Sequence, residues 1–176
     1  MLDDLDPINV RILNELQSDS SRSAVDLAES VGISQSQCWR RIQQLREDGY
    51  IKKQVALLDR KKLGLHAHVF ALVKLSAHGR SNLNEFAAAI RRHRQVLECY
   101  VLMGSVDFLV RIVAEDVEAY EQFFFETLSQ LPGVQEVNSI MALSEIKSTT
   151  ELPMPGLPAP KRETRRPRTR RSPPAP

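Results

Sequence analysis

The stretch from Gly32 to Gly49 combines residue types that pair with nucleic acid at the spacing of a single helix. Ser34 is a favourable N-cap, and no Pro or Gly follows it until Gly49, which suits the position just beyond a helix end. The apolar side chains fall on one narrow face: Cys38, Ile42 and Leu45. The opposite face carries amide, hydroxyl and guanidinium groups: Ser36, Gln37, Arg40, Gln43 and Gln44. Such groups hydrogen-bond to base edges and phosphates.

Acidic side chains are absent between Gln35 and Arg46, whereas the solvated face of a helix usually mixes Glu with Lys. This absence favours a polyanionic partner, and we interpret the segment as a DNA recognition helix. The candidate groove contacts on its polar face are Ser36, Gln37 and Arg40, and Gln44 is a further candidate DNA contact. Ser34 and Gln35 lie nearest to a phosphate because they occupy the helix N-terminus.

Two residues flank the apolar face of this helix. At 3.6 residues per turn Arg41 lies about 60° from that face, so its guanidinium could bridge to a phosphate or pair with an acid of its own domain. Trp39 is interpreted as a packing residue, and Cys38 as a small core residue.

Capping signals predict two further helices before the recognition helix. Asp6, with Pro after it, predicts the start of a first helix that runs to about Gln17. Ser23 and Asp26 predict the start of a second helix that ends at Gly32. Two short helices joined by a tight turn make a helix-turn-helix, which strengthens the DNA-binding interpretation.

A wing is predicted after the recognition helix. The alternating run 50–59 suits a short β-ribbon, in which Lys52 and Lys53 reach phosphates. With this wing, residues 6–59 resemble the N-terminal domain of the Lrp/AsnC transcription regulators. The matching residues are Asp6, Ile12, Leu13, Leu16, Leu27, Ala28, Val31, Gly32, Ser34, Arg41, Ile42, Leu45, Gly49 and Ile51. The resemblance implies a DNA-binding transcription regulator.

The second half of the chain alternates strand and helix patterns in the order βαββαβ. Strands are predicted over 66–76, 96–103, 108–114 and 134–147, and Ser81 and Asp116 are expected to cap the helices. This order is that of a ferredoxin-like split βαβ fold. We therefore expect an α+β protein with a winged helix-turn-helix over residues 1–59, a hinge over 60–66, a ferredoxin-like oligomerisation and effector domain over 67–151, and a tail over 152–176.

The loop between the second and third predicted strands is the candidate effector site. The resemblance to Lrp/AsnC regulators extends to about residue 150, and implies a sensing domain whose turn typically reads Gly-Asp-x-Asp-Tyr. Here the turn contains Gly104, Ser105, Val106 and Asp107, followed by Phe108, so one carboxylate and one phenol are missing. The resemblance implies that an amino acid binds near this turn, with Asp107 pairing with its ammonium group. A plain hairpin turn is the alternative interpretation.

Charge is distributed unevenly along the chain. The formal net charge is +2, yet the residues from Leu152 onward carry seven basic side chains and one acid, so the first 151 residues carry −4. A Pro- and Arg-rich tail without aromatic residues buries too little apolar area to offset the ordering of its backbone, and we expect it to be disordered. Two interpretations stay open: an inert solvated extension, or a basic arm that adds sequence-independent DNA affinity.

Several other kinds of site are not supported by the sequence. Cys38 and Cys99 suggest neither a disulfide framework nor a zinc site, and His66 and His68 lack a third ligand at suitable spacing, so we expect no metal and no cofactor. The sequence pattern contains no nucleophile–base pair of the kind that would indicate an enzyme, so we expect none. The acidic N-terminus does not resemble a signal peptide and no apolar run reaches membrane-spanning length, so we expect a cytoplasmic protein without a membrane partner.

Assembly follows from the small size of one recognition helix. A single copy makes few base contacts, so tight specific binding to double-stranded DNA requires two joined copies. We expect at least a homodimer through the uncovered face of the sheet, and the resemblance implies further assembly into octamers. The alternatives are an architectural, nucleoid-like DNA-binding protein without an effector, and a metabolite-binding module whose helix-turn-helix serves only assembly.

Overall fold

Residues 5–77 and 83–154 are described by the computed structural model, and the chain divides into two units. The first unit contains the residues up to Val55 together with the segment that starts at Thr149, and the second unit spans Ala56–Ser148. The expected N-cap Ser81 and the tail beyond Met154 lie outside the described residues. The first C-terminal residues after Ser148 therefore group with the helix-turn-helix, whereas the sequence pattern predicts a domain boundary after residue 151.

Three helices form the first unit, and each begins at a residue that the capping signals predict. Their bounds are Pro7–Ser18 for α1, Ala24–Val31 for α2 and Gln35–Glu47 for α3. Ser23 and Asp26 form a capping box at the start of α2. Gly32 follows α2 with a φ of 76°, a left-handed conformation that glycine adopts without steric cost. Only Ile33 separates Gly32 from the N-cap of α3, so the turn is as tight as a helix-turn-helix requires.

An apolar core joins the three helices. Its buried side chains are Ile12, Leu27, Ala28, Val31, Cys38, Ile42 and Leu45. Full burial of one Leu or Ile side chain contributes roughly 1.5–3 kcal/mol, so this cluster supplies most of the free energy that holds the unit together. The three α3 members are those predicted from helical spacing, and their burial turns the opposite face of α3 outward.

The β-ribbon predicted over residues 50–59 does not form in the described chain. The segment 51–59 belongs to no hydrogen-bonded strand. A ribbon needs a neighbouring strand that exchanges main-chain hydrogen bonds, and no described segment supplies one. The segment is instead tethered to α3 by Arg46, whose Nη2 donates to Gln54 Oε1 at 2.6 Å.

A four-stranded antiparallel sheet and two helices form the second unit. Its elements are β1 Ala67–Leu75, α4 Leu83–Ile90, β2 Val96–Val101, β3 Phe108–Ala114, α5 Val117–Glu126, a 3₁₀ turn at Leu128–Gln130 and β4 Val134–Met141. The strand order is β2-β3-β1-β4, with every neighbouring pair antiparallel. The predicted ferredoxin-like βαββαβ fold is confirmed.

Two strands are shorter than the sequence pattern predicts. β2 ends at Val101 rather than at residue 103, and β4 ends at Met141 rather than at residue 147. Met141 pairs with Val69, close to the beginning of β1, and the Ala142 N–H donates to the His68 carbonyl at 2.8 Å. Only Ala67 of β1 lies beyond that bond, so the ladder ends there.

Both helices pack on one face of the sheet. The inward side chains of β1 are Val69, Ala71, Val73 and Leu75, all of them buried. They share a core with Phe86 and Ile90 of α4 and with Tyr120 and Phe123 of α5. The Phe86 and Phe108 rings lie with their centroids 4.4 Å apart. Within residues 56–77 and 83–148, no helix covers the other face of the sheet.

Candidate nucleic-acid interface and ligand-binding turn

The outward face of α3 presents the polar groups of the candidate interface. Exposed on it are Ser36, Gln37, Arg40 and Gln44. Within residues 5–77 and 83–154, Arg40 takes part in no side-chain hydrogen bond and no ion pair. Its guanidinium is therefore available to donate two hydrogen bonds to the O6 and N7 atoms of a guanine or to the oxygens of a phosphate group.

The N-terminus of α3 is closed by a capping box. Ser34 Oγ accepts from the Gln37 main-chain N–H at 3.3 Å, and Gln37 Oε1 accepts from the Ser34 N–H at 3.3 Å. The Ser36 hydroxyl lies 3.2 Å from Ser34 Oγ. The cap thus uses the carbonyl oxygen of Gln37 and leaves its amide N–H groups to face outward. The S-x-x-Q spacing already encodes this role of Gln37, although the sequence interpretation used Ser34 alone as the cap.

Arg41 is paired within its own unit. Its Nη1 donates to Asn9 Oδ1 at 2.8 Å and lies 2.9 Å from Asp6 Oδ2. Asp6 also caps α1, because its Oδ1 accepts from the Ile8 N–H at 2.7 Å. That hydrogen bond, with the Arg41 guanidinium beside it, lowers the pKa of the Asp6 carboxyl below its ordinary value of 3.8. Of the two interpretations left open for Arg41, the structure shows the ion pair that ties α3 to the start of α1.

The remaining candidate contacts differ in whether their side chains already have hydrogen-bond partners within the protein. Gln44 Nε2 donates to Asp48 Oδ1 at 2.8 Å, one turn along the chain. Gln35 is exposed at the first position of α3. Lys52 and Lys53 are exposed on the segment 51–59, and their ammonium groups have no partner in the part of the chain that the structure describes. Within residues 5–55, three cations are therefore unpaired: Arg40, Lys52 and Lys53.

Trp39 is a further candidate contact that sequence reasoning missed. The side chain is 59% exposed, which contradicts its interpretation as a packing residue. It follows Cys38 by one residue and is therefore rotated by about 100° from the buried face. An indole ring has an apolar surface and one N–H donor, so Trp39 adds a hydrogen-bond donor beside Arg40.

The turn between β2 and β3 is fixed by Asp107. Its Oδ2 accepts from the Leu75 N–H at 2.7 Å, and its own N–H donates to the Val73 carbonyl at 2.9 Å. Gly104 has a φ of 155°, which favours glycine, while Ser105 is exposed and Val106 half-buried. The carboxylate that was expected to hold a ligand ammonium thus already binds the main chain of β1. An ammonium group at this turn would have to share it.

The helix-free face of the sheet mixes apolar and paired polar side chains. In one row across the strands, Glu98 lies beside Arg111, followed by Phe70 and Ile140. Arg111 Nη2 donates to Glu98 Oε1 at 2.5 Å. The Tyr100 hydroxyl donates to Glu98 Oε2 at 3.0 Å, and this bond to a carboxylate raises the pKa of Tyr100 above 10.0. The polar side chains on this face can be solvated by water, and its apolar side chains could pack against a second sheet.

The described residues show neither a metal cluster nor a membrane-spanning helix. Among residues 5–77 and 83–154 no three His, Cys, Asp or Glu side chains are grouped to hold a metal ion. His68 is 6% exposed with its ring 4.9 Å from that of Phe70, and burial lowers its pKa, whereas His66 is exposed before β1 begins. No helix within the same ranges is long and apolar enough to cross a bilayer.

Family models match both units. Residues 5–52 match the model of a winged helix-turn-helix DNA-binding domain, and residues 68–152 match the model of the Lrp/AsnC ligand binding domain. The DNA-binding match therefore contains α1, α2 and α3, and the ligand-binding match contains all four strands except Ala67, the first residue of β1.

Relatives match over nearly their full length. Transcriptional regulator AzlB of Bacillus subtilis is 38% identical over 150 residues, which cover 85% of this chain and 96% of that protein. The crystal structure of an AsnC family transcriptional regulator from Agrobacterium tumefaciens is 38% identical with a TM-score of 0.80, and covers 85% of this chain and 97% of that one.

A second similar structure was solved with a ligand. It is a transcriptional regulator from Neisseria meningitidis in complex with L-methionine, 35% identical with a TM-score of 0.81, over 85% of this chain and 96% of that one. These matches identify the chain by sequence and by fold together. The chain belongs to the Lrp/AsnC family and is a DNA-binding transcriptional regulator with a ligand-binding domain, not an enzyme.

Proposed function

We propose that this regulator reads a pseudo-palindromic operator in double-stranded DNA, with α3 of each copy lying in a major groove. The outward face of α3 carries the proposal, because it is exposed, contains no acid from Gln35 to Arg46 and follows the tight turn at Gly32. A helix in this position of a helix-turn-helix presents its N-terminal side chains to base edges.

Arg40 is assigned the principal base contact. A guanidinium pairs with the O6 and N7 atoms of guanine, and no described protein group competes for it. Gln37 offers amide N–H groups because its carbonyl oxygen serves the cap. The remaining contacts are assigned as follows: Ser36 to a base edge, Ser34 and Gln35 to a phosphate at the helix N-terminus, Gln44 to the groove edge, and Lys52 and Lys53 to phosphates. Arg41 acts as a positioning residue through Asp6.

The protein acts as a homodimer whose interface is the helix-free face of the sheet. Tyr100 and Ile140 are both about half exposed on that face, which a second sheet would cover. The segment 51–59 also supports association of two copies. Its side chains Val55, Leu57 and Leu58 are exposed, and its main chain has no strand partner in the described residues. Assembly of dimers into octamers remains part of the proposal.

An amino acid modulates the protein by binding near the turn Gly104–Asp107. The similar regulator from Neisseria meningitidis binds L-methionine, which supports an amino-acid ligand here. The departure at Ser105 removes one carboxylate from the turn, and Asp107 is engaged by β1. The ligand ammonium is therefore weakly held, and we expect lower affinity than a turn with two unengaged carboxylates would give.

The domain boundaries belong to the same proposal. Residues 1–59 recognise DNA, residues 60–66 act as the hinge, and residues 67–151 oligomerise and bind the effector. Arg60 stabilises the hinge by donating from Nη1 to the Leu65 carbonyl at 2.9 Å. Since its proposed binding partner is chromosomal DNA, we place the protein in the cytoplasm.

Selection of bound genomic fragments, followed by footprinting with and without amino acids, tests the proposal. We expect fragments that share a pseudo-palindromic motif, with protection on one side of the duplex at intervals of about one helical turn. At least one amino acid should change the protection and raise the melting temperature. Cooperative coverage of fragments without a common motif, together with no thermal shift, would instead identify an architectural DNA-binding protein.

A further inference from the structure

The C-terminal segment is attached to the helix-turn-helix unit by a two-point contact. Gln17 Nε2 donates to the Leu152 carbonyl at 3.0 Å, and the Leu152 N–H donates to Gln17 Oε1 at 2.9 Å. A single side-chain amide therefore satisfies both main-chain groups of one residue, as a neighbouring strand would. Asn14 Oδ1 accepts from the same Nε2 at 3.3 Å, which orients the amide at the last turn of α1.

The chain that continues from this contact carries nearly all of the excess positive charge. Residues 161–171, which we call the basic arm, contain seven basic side chains and one acid. Residues 1–55 carry nine acidic and seven basic side chains, so the helix-turn-helix itself has a net charge of −2. Negative net charge opposes the approach of DNA phosphates, so binding by this unit depends on local cationic side chains or on another segment that supplies positive charge.

Few cations of the helix-turn-helix are free of internal partners and so available to phosphates. Arg11 donates to the Ser30 carbonyl, and Arg22 is paired with Glu15. Arg41 is paired with Asp6, and Arg46 donates to Gln54. In the described ranges this leaves the three unpaired cations named above, which neutralise too few phosphates for strong binding at physiological salt.

We propose that Gln17 and Leu152 root the basic arm on the DNA-binding unit, so that the arm neutralises phosphates of the same duplex that α3 reads. The inference rests on the proposed function only in that DNA is the partner. The arm thus contributes DNA affinity that does not depend on base sequence and is distinct from base recognition by α3.

The arm is long enough for this task wherever the duplex lies on the unit. Lys161 follows Met154 by seven residues and Arg171 follows it by seventeen. At full extension these segments span at most about 25 Å and about 60 Å. A folded unit of about 60 residues has a radius of gyration of roughly 10 Å, so every side of it lies within reach of the arm. Attachment at Leu152 raises the local concentration of the arm near bound DNA.

The test measures the salt dependence of DNA binding by the full-length protein. In one variant, glutamine replaces all seven basic residues of the arm: Lys161, Arg162, Arg165, Arg166, Arg168, Arg170 and Arg171. In the matched control, lysine replaces the six arginines and the charge is kept. Binding to one operator fragment and one unrelated fragment is titrated from about 50 mM to about 200 mM salt.

If three of the seven cations reach phosphates, the slope of log K against log salt becomes shallower by about 2.7 per bound chain in the glutamine variant. The advantage of the unmodified protein then shrinks roughly 40-fold across the salt range, equally for both fragments. The lysine control should keep the original slope. An unchanged slope in the glutamine variant overturns the inference while leaving operator recognition intact. Absence of binding by the unmodified protein contradicts the proposed function itself.

A second variant isolates the contact at Leu152. Gln17→Ala removes both hydrogen bonds, and Gln122→Ala, an exposed glutamine of α5 that bonds only to Glu126 in the described residues, is the control. We expect Gln17→Ala to weaken binding several-fold in the unmodified protein and not in the glutamine-arm background, because the two changes act through one element. An equal loss in both backgrounds shows that Gln17 does not act through the arm, and overturns its role as the root.

Discussion

At the scale of single residues, the neighbours Arg40 and Arg41 have different tasks although they share one helix and one side-chain chemistry. Arg40 is unpaired within the described residues and faces outward, whereas Arg41 is held by Asn9 and Asp6. A cation with internal partners contributes to stability, and one without them is available to a ligand. The two residues therefore form a natural pair for separating folding from recognition.

Replacement of each arginine by alanine should give opposite results. Arg40→Ala should weaken operator binding by about tenfold or more, because one two-point base contact is lost, and should leave the melting temperature unchanged. Arg41→Ala should lower the urea midpoint of the helical unit. Fluorescence anisotropy with labelled operator and urea titration measure the two effects. Equal loss of affinity in both variants at equal stability would contradict the assignment.

The Asp6 carboxyl makes the stability of the first unit depend on acid. Its pKa in the folded protein lies below 3.8, so its contribution is fully present above that pH and is lost as the pH falls through the lowered value. Asn at this position keeps the acceptor for the Ile8 N–H but does not titrate. In urea titrations between about pH 5 and about pH 3, Asp6→Asn should therefore lose stability less steeply than the unmodified protein. Parallel curves would show that Asp6 is not involved.

Sequence reasoning placed these side chains on the correct faces but did not identify their partners. Helical spacing is enough to bury Cys38 and expose Arg40, because both follow from the position of each residue around α3. The partner of Arg41 lies 35 residues earlier in the chain and is brought close only when α1 packs against α3. The exposure of Trp39 was missed because an aromatic residue beside an apolar face suggests burial.

At the scale of elements, two capping boxes start the two helices of the helix-turn-helix. Ser23 caps α2 and Ser34 caps α3, each with a reciprocal bond from the third helical residue. The boxes have the same chemistry, but only the one on α3 opens the helix that is proposed to enter the groove. Its residues also include Gln37, a candidate base contact.

The two caps should therefore be separable by experiment. Ser23→Ala and Ser34→Ala should each lower the free energy of unfolding by about 1 kcal/mol, which thermal unfolding followed by circular dichroism can detect. Only Ser34→Ala should also weaken operator binding beyond the shared loss of stability, because it loosens Gln37 and the first turn of α3. If Ser23→Ala reduced affinity by the same factor, the N-terminus of α3 would have no special part in recognition.

The elements that sequence reasoning predicted well are those whose pattern is satisfied locally. Capping residues and glycine stops fixed the bounds of α1, α2 and α3 within about one residue, and alternation placed β1 within one residue of its observed bounds. The predicted ribbon over 50–59 and the predicted extension of β4 to residue 147 both required a neighbouring strand. Alternation cannot reveal where such a partner ends, so both predictions exceeded the structure.

At the scale of the whole molecule, the proposed recognition of a pseudo-palindromic operator requires two copies held at a fixed spacing. The helix-free sheet face is the proposed interface, and a charge placed on this face should prevent association. Ile140 on that face and Val117 at the start of α5 are matched in exposure, at 50% and 52%. The pair therefore distinguishes the interface from an ordinary exposed apolar site.

Ile140→Glu should convert the dimer to single subunits at micromolar concentration, because a carboxylate would be buried without a partner. Val117→Glu, which lies on the helical side, should leave the oligomer unchanged. Sedimentation velocity measures both directly. Operator affinity should fall in parallel with dissociation, since the second half-site is then no longer bound by a tethered copy. A dimer that survives Ile140→Glu but not Val117→Glu would place the interface on the helices.

The most direct test of the central claim is operator binding by the double variant Arg40→Ala with Gln37→Ala, measured by anisotropy beside the unmodified protein. The account predicts that the double variant still folds and associates as the unmodified protein does. It also predicts that the preference for the operator over unrelated DNA is lost, because the residual affinity comes from phosphate contacts. Unchanged preference for the operator in a folded double variant would contradict recognition by α3.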